Sequence, residues 1–140
     1  MKKLLVIIFI SLIFLVNLIS PVEANTDYEI VKVSLGNEQG QLIFVPNEFK
    51  FSAGQKYKLV LNNFSPEKHY FTAKDFADAS WTQKVQAGKV EVKGAIHELE
   101  LKPEGEAEWV FIPEKQGTYE LYCSIKGHKE AGMKGIITIY

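Results

Sequence analysis

Cys123, His128 and Met133 fall within eleven residues near the C-terminus, in C-S-I-K-G-H-K-E-A-G-M-K-G, with four residues between each donor and the next. Cys123 is the chain's only cysteine, Met133 its only methionine beyond the initiator, and His128 one of three histidines. A thiolate, an imidazole and a thioether make a soft donor set. Zinc accepts the first two and has little use for the third, whereas copper suits all three in either oxidation state. Gly127, Gly132 and Gly135 permit the positive φ angles and close backbone approach that a loop curled around one small ion requires.

A trigonal Cys-His-His plane with a long axial Met is the type 1 copper arrangement, so a second histidine is needed. His69 and His97 are the two that remain. His69 follows a strand-like K-L-V-L-N-N run and a Pro-containing turn, where a loop re-enters a sheet. His97 lies in A-I-H-E-L-E-L, in phase with Leu99 and Leu101, which reads as a partly buried strand residue. Position favours His69, and the residues alone leave both open.

Rigid elements must hold these donors, and the chain reads as strands. In T-Y-E-L-Y-C, Tyr119, Leu121 and Cys123 share one side while Glu120 and Tyr122 share the other, because side chains alternate faces along a strand. If Leu121 faces a core, Cys123 points inward at the last rung. Further runs at 28–34, 41–45, 57–61, 96–101, 107–112, 117–123 and 135–140 are separated by turn residues such as G-N-E-Q-G and N-N-F-S-P. This spacing predicts an all-β fold, a two-sheet antiparallel sandwich of about seven or eight strands. The segment 74–81, K-D-F-A-D-A-S-W, breaks the pattern and predicts a short helix or irregular insertion at the sandwich edge.

Composition bounds the setting. The 140 residues carry 16 lysines and no arginine against 17 acidic groups, for a net charge of −1. So even a balance argues against nucleic acid or an acidic membrane as a partner, and the lack of arginine weakens any case for bidentate phosphate recognition. Lys2 and Lys3, the apolar run from Leu4 to Ile19 and the segment P-V-E-A read as a secretory leader, residues 1–24, cleaved after Ala24. An uncleaved anchor is the alternative, and no cysteine near the cleavage point supports a lipoprotein. Residues 25–140 then form one domain with no membrane insertion after cleavage. A lone thiol in an oxidising compartment needs protection, which burial or a metal provides.

The mature chain resembles the cupredoxins, the small blue copper proteins of the plastocyanin, azurin, auracyanin and rusticyanin group. The likeness rests on G-T-Y-E-L-Y-C-S-I-K-G-H-K-E-A-G-M-K-G-I-I-T-I at 117–139, on N-N-F-S-P-E-K-H at 62–69, and on P-x-x-F-x-F-x-x-G-x-x-Y at 46–57. Segments at 69–73, 81–86 and 91–96 look like a little-described exported bacterial branch of that group. The resemblance implies a Greek-key β-sandwich, one type 1 copper per chain, and ligand roles for His69, Cys123, His128 and Met133. It also implies a departure: cupredoxins often place Asn or Ser after the upstream ligand histidine, where it ties the two ligand loops together, and this chain has Tyr70. Ser124, after the cysteine, fits the usual pattern.

Four protein ligands leave no open position for a substrate, which disfavours a redox enzyme. A Cys-His nucleophile leaves Met133 unexplained, and a metal-free interaction sandwich makes the ligand spacing accidental. The expectation is one-electron transfer through Cu(I) and Cu(II), with the family's surface-near downstream histidine, here His128, as the electron port. Lys68, Lys126, Lys129 and Lys134, with Glu67 and Glu130 among them, could form a basic rim that steers an acidic redox partner or merely keep the loop soluble. The alternative is a periplasmic copper-binding protein for resistance, delivery or sequestration; no methionine-rich or histidine-rich tail favours it. A monomer in the periplasm is expected, with a thylakoid lumen or cell surface as other addresses.

Overall fold

The structure, a computed structural model, describes residues 27–140. The expected leader and its cleavage position lie outside that range. Among the described residues no helix is long and apolar enough to cross a membrane. The elements run β1 (Glu29–Leu35), β2 (Phe44–Val45), β3 (Glu48–Phe51), β4 (Tyr57–Asn62), β5 (His69–Thr72), α1 (Lys74–Asp78), β6 (Ser80–Ala87), β7 (Val90–Val92), β8 (Glu98–Leu101), β9 (Glu106–Pro113), β10 (Gly117–Tyr122) and β11 (Lys134–Ile139).

Two sheets form the sandwich. One has the order β2-β1-β4-β9-β6-β7 and the other β3-β11-β10-β5-β8. The all-β expectation holds, but the sheets are mixed rather than antiparallel: β1 runs parallel to β4 and β3 parallel to β11. The reason lies in the connections. Between β1 and β4 the chain visits the other sheet to form β3, and a strand returning from such a crossover lies parallel to the one it left. Periodicity within one strand carries no record of its neighbour's direction.

Three local departures have local causes. The 41–45 run shortens to β2 because Asn37 folds a turn, its Oδ1 accepting the Gln41 N–H (3.0 Å) and its carbonyl the Gly40 N–H (2.9 Å). β6 was hidden in the sequence by a shift of register between Thr82 and Lys84: a bulge interrupts the two-residue alternation by which a strand is recognised. The helix expected at 74–81 ends at Asp78, and Ser80 and Trp81 already belong to β6.

The core lies between the sheets. Leu59, Leu61, Trp109 and Phe111 from one sheet meet Phe51, Phe71, Leu121 and Ile137 from the other, all buried. α1 contributes Phe76, whose ring sits 5.2 Å from Phe111, 5.6 Å from Trp109 and 5.8 Å from Phe51. Full burial of such a ring stabilises the fold by about 1.5–3 kcal/mol, so this short helix acts as a plug at the sandwich edge. The one polar atom that Trp109 carries inward is satisfied, its Nε1–H donating to Thr82 Oγ1 at 3.1 Å.

Candidate metal centre

The site forms where β5 and β10 approach each other. β10 pairs with β11 along its whole length, from Gly117↔Ile139 to Tyr122↔Lys134. The ladder continues one rung further, where the Cys123 N–H donates to the Met133 carbonyl at 3.1 Å. The stem of the loop is thereby closed at its two outer donors. Inside it, the Met133 N–H donates to the His128 carbonyl (2.9 Å) and the His128 N–H to the Ile125 carbonyl (3.0 Å). Gly127 and Gly132 take φ of +87° and +113°, the backbone conformations that residues with a Cβ adopt only under strain.

The parity argument for β10 holds. Leu121 and Cys123 are buried, Glu120 is exposed and Tyr122 lies between. Cys123 therefore points into the sandwich, where water is excluded.

His69 opens β5 and is fully buried. The loop that delivers it is built around Asn63, a buried residue that sequence reading noted only as part of a motif. Its Nδ2 donates to the carbonyls of Glu67 (2.7 Å) and Leu101 (2.9 Å), and its Oδ1 accepts the Ser65 N–H (2.9 Å). A buried amide that meets three backbone groups fixes the loop's path, as Asn side chains do when they replace a backbone turn.

The donor atoms of His69, Cys123 and His128 lie within 4.8 Å of one another. Both imidazoles turn Nδ1 toward the thiol: Cys123 Sγ stands 3.5 Å from His128 Nδ1 and 4.0 Å from His69 Nδ1. Metal–sulfur and metal–nitrogen bonds of the usual length, opened to a tetrahedral or trigonal angle, separate the two donors by about 3.6–3.8 Å. The pocket thus fits one small ion with soft and borderline ligands. Met133 is wholly buried in the same loop. The Tyr70 N–H donates to Cys123 Sγ at 3.4 Å.

Electrostatics favour a metal over a proton. Burial holds His69 below the ordinary histidine value, the neighbouring His128 lowers it further, and Glu67 opposes them. His69 Nε2 is buried without a hydrogen-bond partner, and coordination through Nδ1 would leave the ring's single proton there. His128 is only half-buried, and among these donors it is the one with a path to solvent.

His97 is elsewhere. It precedes β8 instead of lying in it, is exposed, and pairs through Nε2 with Asp78 Oδ1 at 2.7 Å. The expectation of a partly buried strand residue fails because the chain bends at His97 just before β8 and leaves its side chain exposed, although its carbonyl accepts the Ala73 N–H at 3.1 Å, one step beyond the β5–β8 register. The lysines near the site are not equivalent. Lys129 is paired with Glu120 at 2.6 Å and lies over the Tyr122 ring, and Lys68 is paired with Glu100 at 3.3 Å. Lys126 and Lys134 are exposed, and among the described residues neither lies in an ion pair.

Comparison with known proteins agrees with this geometry. Residues 31–140 match the model of a family described as copper binding proteins, plastocyanin/azurin family. Plastocyanin from Cucurbita pepo is 34% identical over 109 residues, covering 78% of this chain and 99% of that protein. Plastocyanin from Solanum crispum is 35% identical with the same coverage. Among solved structures, auracyanin from the photosynthetic bacterium Roseiflexus castenholzii superposes with a TM-score of 0.58 at 19% identity, covering 79% of this chain and 96% of that one. A laccase from Pediococcus acidilactici gives 0.62 at 13% identity, covering 87% of this chain but 29% of its own. Those last two likenesses concern the fold.

Proposed function

The chain belongs to the plastocyanin/azurin family of copper-binding proteins, and on that premise we propose that it carries single electrons between redox partner proteins. Its cofactor is one type 1 copper ion, which when bound supplies a one-electron Cu(I)/Cu(II) couple. His69, Cys123 and His128 would hold it as the strong donors and Met133, through its thioether, as the weak one. The observation that carries this reading is the convergence of two Nδ1 atoms on one buried thiol sulfur.

The protein's part is to hold these donors still. The loop is clasped at Cys123 and Met133, and His69 is locked in a strand, so the ligand cage changes little when the charge inside it changes. Burial of His69, Cys123 and Met133 excludes water and substrate alike, which supports a carrier over an enzyme. The half-buried ring of His128 is the proposed port. A partner docking there meets the cations of Lys126 and Lys134, while Lys129 contributes less because Glu120 neutralises it. The N-terminal pattern supports export, with a periplasmic address and a monomeric carrier proposed.

Two measurements test the proposal. The oxidised, copper-loaded protein is expected to show an intense visible charge-transfer band that Cys123→Ser abolishes. Rapid reduction by a small redox protein, with slow loss of copper to a strong Cu(I) chelator, is the carrier's pattern. Slow reduction with ready release of the ion would instead support the copper-delivery reading.

A further inference from the structure

The seam between β5 and β10 is thin where it matters most. The two strands that carry His69 and Cys123 pair at one register position, Tyr122↔Thr72. Beyond it the Tyr70 N–H goes to the Cys123 sulfur rather than to a backbone carbonyl. The residue after His69 is a tyrosine whose hydroxyl turns away from β10 to Glu100 of β8. Nothing at position 70 therefore ties the cysteine loop to the histidine strand through a side chain.

A carboxylate from the next strand does. Glu98 stands opposite Thr72 in the β5–β8 register. One of its oxygens, Oε2, accepts the Thr72 hydroxyl at 2.7 Å and the Ser124 hydroxyl at 2.6 Å. Thr72 is buried and belongs to β5, whereas Ser124 directly follows Cys123. The bridge thus runs from β8 across β5 to the ligand loop. The neighbouring Tyr70–Glu100–Lys68 cluster joins only β5 and the residue before it to β8. Hydroxyl-to-carboxylate bonds of this length are charge-assisted and about twice as strong as neutral ones.

We infer that Glu98 is a positioning residue for the metal centre, its carboxylate holding the Cys123 loop against the His69 strand through Ser124 and Thr72. The inference rests on the proposed ligand set for its consequence and on the hydrogen bonds alone for its existence. The test therefore begins without copper. Cys123 is 1% exposed, so in the copper-free protein its thiol reacts with a small aromatic disulfide reagent only when the loop opens locally.

Losing a hydrogen bond to a charged group is expected to raise that rate by about tenfold. Glu98→Ala and Ser124→Ala should each do so, and the double variant should match Glu98→Ala, because both changes break one bridge. Glu98→Gln should keep most of the protection, since its carboxamide oxygen still accepts both hydroxyls. In the copper-loaded protein, Ser124→Ala leaves every charge in place and is expected to shift the charge-transfer spectrum and the reduction potential. The inference is overturned if Ser124→Ala reacts at the parent rate. It is overturned equally if the double variant multiplies the two single effects, if Glu98→Gln behaves as Glu98→Ala, or if the Ser124→Ala spectrum and potential match the parent's. A colourless copper-loaded parent would sink the electron-carrier reading while leaving the thiol result to decide the bridge.

Discussion

Gly36 and His69 share one space: a Cβ on Gly36 would stand 2.9 Å from Nε2 of the His69 ring and 2.8 Å from the Cβ of Ser65. The ring has its place because residue 36 has no side chain. Gly36 directly follows β1 with φ at +69°, and its N–H donates to the Ile43 carbonyl at 2.8 Å. A glycine at a strand end thus sets the back wall of the metal site.

Gly36→Ala is expected to combine backbone strain of about 1–3 kcal/mol with displacement of the His69 ring. Denaturant unfolding should show the lost stability, and the charge-transfer band should shift or weaken. Gly54→Ala is the control. Gly54 has a similar φ of +80° with nothing within 4 Å of an added Cβ, so stability should fall there without any spectral change.

The two upstream histidines should separate cleanly. His69→Ala is expected to abolish the visible band, since it removes a buried donor 4.0 Å from the Cys123 sulfur. His97→Ala should leave the band intact and cost little stability, because it breaks only an exposed pair with Asp78. Visible spectra of both copper-loaded variants check this; a band that survives the first change and not the second would reverse the ligand assignment.

Copper-free protein should lose stability in mild acid. His69 is held below its ordinary value of 6.5, chiefly by burial. As pH falls through that value, the unfolded chain takes up a proton that the folded chain refuses, which favours unfolding. The loss continues down to the lowered folded value and then levels off. Melting temperatures between about pH 7.5 and about pH 5 should fall with pH, and His69→Gln should flatten the slope.

Removing copper should lower the melting temperature at neutral pH. An ion bound by the folded state alone adds about 2.7 kcal/mol when present at a hundred times its dissociation constant. Calorimetry before and after chelation measures the difference. Cys123→Ser should narrow it, because the thiolate is the anionic member of the donor set.

Much of this protein is written locally. The donor spacing in Cys123, His128 and Met133, the alternation that turns Cys123 inward beside Leu121, and the strand-turn rhythm all depend on residues close in sequence, whose side-chain directions follow from strand geometry. The interruption at 74–81 was equally readable, although its outcome, Phe76 plugging an aromatic core, was not. Strand direction was decided elsewhere, because β1 meets β4 and β3 meets β11 only after the chain has crossed between sheets. The bulge between Thr82 and Lys84 concealed β6 by breaking the very period that identifies a strand. Around the proposed metal site, the candidate donors could be named from the sequence while their supports could not. Gly36 backs His69 from more than thirty positions away in a turn of unremarkable sequence, and Glu98 reaches Ser124 across an intervening strand. Residue type and spacing fix which atoms can bind a metal. Which side chains hold them in place depends on distances through space, and those exist only once the sheets have packed.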